Sequence, residues 1–303
     1  MSHLVEAIHS ASGLWPSDDA FGWHLHDQTL HAWVIDGATS VSERPDKVRA
    51  GVSDASWFAN ALSRAIRRRV AYAALTQASL VSILADLLPR FEAMAGDALD
   101  AYDYPVAAMT YVSVTRRRDR FVFQGLQFAD CFLHLQTLPK PQQSQNAVHG
   151  ALPARPLNAS LPKTPEILAR LRVRRSDQVL RDASSAVTIF PRSAAQGTPF
   201  RFTRPGHLPI ALLLGSDGIA RLWEEYNLCT IEQSTDRILR DGALRELAKL
   251  RQWEATHSGH GMSIKPADDA TLLSVQLDSN AFAKPLRAAM RRFEGTAHFV
   301  YRK

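Results

Sequence analysis

The chain has 303 residues, 46% of them apolar, with two cysteines and a net charge of +6, enough length and apolar content for a sizeable core. No apolar run approaches the roughly 18 residues of a membrane helix, and Met1 to Glu6 lack the layout of a signal peptide. Cys131 and Cys229 cannot build a disulfide framework, so the expected setting is the cytoplasm. The positive excess lies in three short clusters, Arg67–Arg69, Arg116–Arg118 and Arg172–Arg175, without interleaved stacking aromatics, which argues against nucleic acid as a partner.

In chain order, residues 29–35 read as a strand. Residues 46–70 carry Val48, Val52, Ala55, Ala59, Leu62 and Ile66 at alternating helical spacings and predict a helix, with Arg67–Arg69 suited to its C-terminal dipole. A second helix is predicted over 77–95. Residues 106–136 predict strands, with a hairpin turn in Arg116 to Arg120 and a further strand at Cys131 to Leu135. The Pro-, Gln- and Asn-rich stretch 137–162 reads as a surface loop. Strand signals return near 185–190 and at Leu208 to Leu214, helices over 218–227 and 234–254, and a strand at Thr271 to Leu277. Strands grouped in hairpins favour α+β layering over a doubly wound parallel sheet.

Several apolar strands end or begin with acids. "AWVIDG" places Asp36-Gly37 directly after Ile35, and "LLLGSDG" places Asp217-Gly218 after Leu214. Asp268-Asp269 precede the strand at Thr271, Asp130 sits between two apolar runs, and Asp18-Asp19 stand just before Phe21. Each alone is compatible with a plain turn. Together, strand ends meeting at one mouth would gather carboxylates that repel one another unless cations neutralise them. Oxygen ligands favour Mg²⁺ or Mn²⁺, and no Cys/His spacing suggests zinc.

In this order the motifs resemble the metal-dependent protein phosphatases of type 2C, particularly their bacterial members, from about residue 15 to 278. The resemblance implies residues 1–303 as one domain, a four-layer α-β-β-α sandwich with two central antiparallel sheets. It implies two Mn²⁺ or Mg²⁺ ions, with a third held more loosely. Asp36 would bridge the pair, the Gly37 carbonyl would join one ion, Asp217 and Asp268 the other, Asp19 would act through water, and Asp130 would serve the third. Asp18 and Asp269 would lie just behind the ligands. The implied activity is hydrolysis of phosphoserine or phosphothreonine in a protein, by water activated between the metals. Oligomeric state is left open.

The chain departs from the family in places. Ala38-Thr39-Ser40 stands where many members have a His after Asp-Gly, Leu14 replaces a phosphate-binding Arg, and Ala129-Asp130-Cys131-Phe132 replaces a Gly-Asp-Ser motif often followed by Arg. These changes keep open an alternative, a pseudophosphatase using the same fold as a binding or regulatory module. His257 and His260, placed in the loop before Asp268, are candidates to protonate the leaving group. Dehalogenase-like phosphatases need a nucleophilic Asp where Val34 or Gly215 stands. Cysteine phosphatases need an Arg where Thr137 or Thr235 follows the cysteines. Ser216 lacks a nucleophile-elbow context and reads as a turn residue.

Overall fold

The computed structural model describes residues 5–12, 16–96, 98–138, 164–257, 267–277, 287–293 and 296–302, the last two segments as backbone alone. Its first half runs β1 (Val5–Ser10), β2 (Asp19–His26), β3 (Thr29–Gly37), α1 (Asp54–Val70), α2 (Gln77–Ala95), β4 (Val106–Arg117), β5 (Arg120–Phe128) and β6 (Phe132–Thr137). The second half runs α3 (Pro165–Arg181), β7 (Val187–Thr188), β8 (Thr198–Pro205), β9 (Ile210–Gly215), α4 (Asp217–Glu224), α5 (Ile231–Asp241), α6 (Ala243–His257), β10 (Ala270–Leu277), β11 (Arg287–Phe293) and β12 (Thr296–Arg302).

The strands form two antiparallel sheets. One has the order β11-β12-β1-β10-β9-β6; the other has β2-β3-β4-β5-β8, with β7 paired to the start of β4. Alternation decides how they stack. In β3, Leu30, Ala32 and Val34 pack against Leu212, Leu214, Leu273 and Val275 of the opposite sheet. The other face of β3, through Trp33 and Ile35, packs beneath Phe58 and Leu62 of α1 and Leu84 of α2. In the first sheet, Leu213 and Leu272 turn outward onto Ile219 of α4, Ile238 of α5 and Leu250 of α6. The result is the expected α-β-β-α sandwich. Trp33 is fully buried and its indole N–H donates to Ser63 Oγ at 2.9 Å, so its burial carries no unpaired polar group.

Helix α2 coincides with its expected span. Helix α1 begins at Asp54, later than residue 46, because Ser53 caps it by accepting from Ser56 N at 2.9 Å and Gly51 before it adopts φ +75°. The preceding loop buries Lys47 between Asp103 at 2.9 Å and Asp54 at 4.0 Å. The helix expected over 234–254 breaks at Gly242, φ +91°, into α5 and α6. The surface loop expected over 137–162 lies outside the described residues from 139 onward.

Candidate active site

The parity of β3 fixes where Asp36 goes. Asp36 follows Leu30, Ala32 and Val34 on the face turned to the other sheet, so its carboxylate sits at the open end of the inter-sheet layer. Asp19, opposite it in the β2–β3 register, shares parity with Trp23, which packs in the same layer. Gly37 permits a tight crossing, since a Cβ there would stand 2.6 Å from the Asp18 carbonyl oxygen and 3.0 Å from that of Ala55. From the other sheet, β9 ends at Gly215 and Asp217 opens α4, where the helix dipole favours an acid. A Cβ on Gly218 would lie 1.8 Å from the Asp269 carbonyl oxygen, so glycine lets α4 rest directly against the segment that carries Asp268.

Asp36, Gly37, Asp130, Asp217 and Asp268 line one cavity of about 520 Å³. The acids come from four separated segments: the end of β3, the β5–β6 turn, the start of α4 and the approach to β10. Asp19 does not line the cavity; it is 2% exposed, and its Oδ2 accepts from Ser216 Oγ at 2.8 Å. Asp18 and Asp269 serve the walls. Asp18 accepts from Ser53 Oγ. Asp269 accepts from Ser12 N at 2.7 Å, Ser12 Oγ at 2.8 Å and Asp18 N at 2.5 Å, fastening the segment before β2 to the start of β10.

Crowding acids together has a cost. Desolvation first, then repulsion from Asp19 and Asp217, raises the Asp36 pKa well above the ordinary carboxylate value. Asp36 and Asp217 also hydrogen-bond to each other through their carboxyls. Burial and then Asp268 raise the Asp217 pKa. Burial pushes the Asp19 carboxyl up to about 7, against the opposing hydrogen bonds from Thr271 and Ser216. Asp269 moves down, because its hydrogen bonds from Ser12 and Asp18 outweigh its burial.

Among the described residues no three His, Cys, Asp or Glu side chains are already drawn around one ion-sized point. The acids instead line a mouth, with Asp36 leaning on Asp217, and Asp268 Oδ2 lying 3.4 Å from Arg221. The donor set fits a hard divalent cation on two observations. All donors are oxygens, and buried Asp19 Oδ1 has no hydrogen-bond partner among the described residues.

Two positions differ from expectation. His257 is the last residue of α6, not part of a loop; its ring stacks on Trp253 at 3.6 Å, and it does not line the cavity. Ser216 is more than a turn residue. Fully buried, it donates to Asp19 while accepting from Thr271 N at 3.0 Å, joining the two sheets beside the acids. His260 and Leu14 lie outside the described residues. Cys131 and Cys229 are buried free thiols, and burial raises both pKa values, so neither is poised as a thiolate nucleophile. Sequence reasoning also misses Arg221, which pairs with Asp268 from one turn beyond Asp217, and Arg174 and Arg175 of α3, which line the cavity wall. The i,i+4 spacing of Asp217 and Arg221 is the signal that points to the first.

The sequence matches no family pattern and no curated protein. Its architecture does have solved counterparts. A phosphatase from a pathogenic strain of Toxoplasma gondii superposes with a TM-score of 0.51 at 11% identity, over 93% of this chain and 98% of that one. The chain shares that phosphatase's fold. The serine/threonine phosphatase Stp1 from Staphylococcus aureus also aligns, with a TM-score of 0.46 and 11% identity over 90% of this chain and 94% of that one. So does the catalytic domain of the phosphatase PstP in complex with 2 manganese ions, with a TM-score of 0.43 and 12% identity over 92% of this chain and the whole of that one. Among the described residues no helix is long and apolar enough to cross a membrane.

Proposed function

We propose that the chain is a metal-dependent phosphoprotein phosphatase of type 2C, with residues 1–303 as one catalytic domain acting on phosphoserine or phosphothreonine in the cytoplasm. The observation that supports this most is the convergence of Asp36, Asp130, Asp217 and Asp268 on one cavity in a phosphatase fold. Asp36, the Gly37 carbonyl, Asp217 and Asp268, with Asp19 through water, would hold two Mn²⁺ or Mg²⁺ ions, and Asp130 a looser third. When bound, such ions acidify water and neutralise charge on phosphoryl oxygens.

The chain's own residues prepare that chemistry. Ser216 orients Asp19 with a hydrogen bond, Arg221 steadies Asp268, and Asp269 fastens the segment before β2 in place. Burial keeps Asp19, Asp36 and Asp217 poorly solvated, so a cation gains more from them than from exposed carboxylates. Among the described residues lining the cavity, the titratable groups are Asp36, Asp130, Asp217, Asp268 and two arginines. Arginine does not release its proton here. Of these described residues, only the carboxyl groups could pass a proton to the leaving alkoxide, directly or through water; His257 and the cysteines do not line the cavity.

The test is hydrolysis of p-nitrophenyl phosphate and of a phosphothreonine peptide, with Mn²⁺, with chelator, and by Asp36→Asn with Mn²⁺. Turnover is expected in the first condition alone. Equal turnover in all three would remove the metal mechanism, and none in any would leave a binding module.

A further inference from the structure

Helix α3 brings cations to the acid-lined cavity. Its arginines differ in how they are partnered. Arg172 reaches Glu43 at 3.4 Å and the Val41 carbonyl at 2.9 Å, and Arg181 reaches Asp177 at 3.4 Å. Arg175 is 8% exposed, lines the cavity, and has no carboxylate partner among the described residues. Its Nε donates to Gln178 Oε1 at 3.3 Å and one terminal nitrogen donates to the Thr39 carbonyl at 3.3 Å. Those two bonds leave three of its five N–H groups without an acceptor among the described residues. Arg174, beside it in sequence, also lines the cavity and disfavours the Arg175 charge. Burial and then Arg174 push the Arg175 pKa down to about 10, still protonated at neutral pH.

A buried cation without an anion is a costly arrangement unless something negative arrives. The cavity wall that carries it faces the space bounded by Asp36, Asp217 and Asp268. Thr39, which Arg175 grips, comes three residues after Asp36, so the cation is tied to the same segment as the acid. An entering group that is itself an oxyanion would satisfy the idle N–H groups in a forked geometry.

We propose that Arg175, supported by Arg174, is the anion-recognition group of the cavity and receives the phosphoryl oxygens of the substrate. The identity of that anion rests on the phosphatase reading; the demand for an oxyanion rests on a buried guanidinium that no carboxylate meets among the described residues. Arg175 is thus a substrate-binding residue, on a helix separate from the acids.

The experiment titrates the full chain with inorganic phosphate by calorimetry in excess Mg²⁺, and measures Mn²⁺-dependent hydrolysis of p-nitrophenyl phosphate in parallel. Arg175→Met is expected to weaken phosphate binding about tenfold or more, and to raise KM more than it lowers kcat. Arg175→Lys should recover part of the affinity, and Arg172→Met, outside the cavity, should bind as wild type. If Arg175→Met melts well below wild type, Arg175→Gln, which keeps a donor for the Thr39 carbonyl, takes its place. Phosphate binding unchanged in a folded Arg175 variant, or absent in the wild type, overturns the proposal while leaving hydrolysis to judge the phosphatase reading. Arg175-dependent phosphate binding without hydrolysis by any chain supports the anion site and removes the phosphatase reading.

Discussion

Asp19 and Asp36 stand directly opposite each other across the β2–β3 ladder, one sealed beneath the cavity and the other opening into it. Like charges in cross-strand register oppose folding, and here both are desolvated. A sheet selected for stability alone would not place them there.

Asp36→Asn should therefore stabilise the metal-free chain while disabling it. In chelator at pH 8 the thermal midpoint is expected to rise by about 2 °C or more. The upward shift that Mn²⁺ gives the wild type should vanish in the variant. Melting curves with and without Mn²⁺ check both halves, and a lower midpoint in chelator would show that Asp36 stabilises the sheet.

Ser216 connects the Thr271 N–H of one sheet to Asp19 of the other. Ser216→Ala removes the acceptor of the buried Thr271 N–H and one donor to Asp19, so urea unfolding should show a loss of about 1–3 kcal/mol. Mn²⁺ should also bind more weakly, because Asp19 loses its orienting donor. Ser216→Cys, whose thiol is a poor donor, should behave like Ser216→Ala.

Gly218 lets α4 approach the Asp269 backbone. A methyl group there meets the carbonyl oxygen at 1.8 Å and forces the helix away. Gly218→Ala should lower the urea midpoint by the equivalent of about 2 kcal/mol, an overpacking cost. It should reduce turnover further than its stability loss explains, since Asp217 moves with the helix. Turnover equal to wild type in the folded variant would detach the helix position from the chemistry.

His31 supplies a pH dependence away from the acids. Its Nδ1 lies 2.8 Å from Tyr111 Oη, which accepts from Leu75 N–H at 3.0 Å and so offers its own proton to the imidazole. Burial, then the charges of His24 and His26, hold the His31 pKa down to about 4 from 6.5. The unfolded chain therefore binds the proton first. Stability present above pH 6.5 is lost as pH falls toward 4, by up to about 3 kcal/mol across that window. His31→Gln should flatten this component, read as the difference between wild-type and variant urea midpoints at pH 7 and pH 5.

The acids are legible in the sequence because each sits next to an apolar run, and the alternation that places Val34 in the inter-sheet layer also aims Asp36, two residues later, at the same layer. The layering is legible because β4 and β5 read as hairpin strands and α1 shows a clear apolar stripe. Helix α3 is not, since among its side chains only Arg175 and Val179 are buried, which leaves almost no period to detect. Strand β8 carries a usable signal in Phe200 and Phe202, which alternate with Arg201 and stack on each other, but it is an exposed edge with proline near both ends. Sequence periodicity starts α1 too early because Val48 packs on the core from a loop, mimicking one more helical turn. Ser216 escapes a reading of local pattern, because Asp19 and Thr271 lie far along the chain and only the folded register brings them together.

Strand β1 lies between β10 and β12, pairing Val5 with both Val275 and Tyr301. The sheet that carries Asp217 and approaches Asp268 is therefore stitched together by contacts spanning almost the whole sequence. On a ribosome, the β2–β5 sheet with its two helices can assemble early, while its inner apolar face waits for β9 and β10 to emerge. Such long-range closure is slow, so nascent chains would need shielding on that face until synthesis nears completion, and a polypeptide stopped before residue 270 would possess Asp36 and yet have no working mouth.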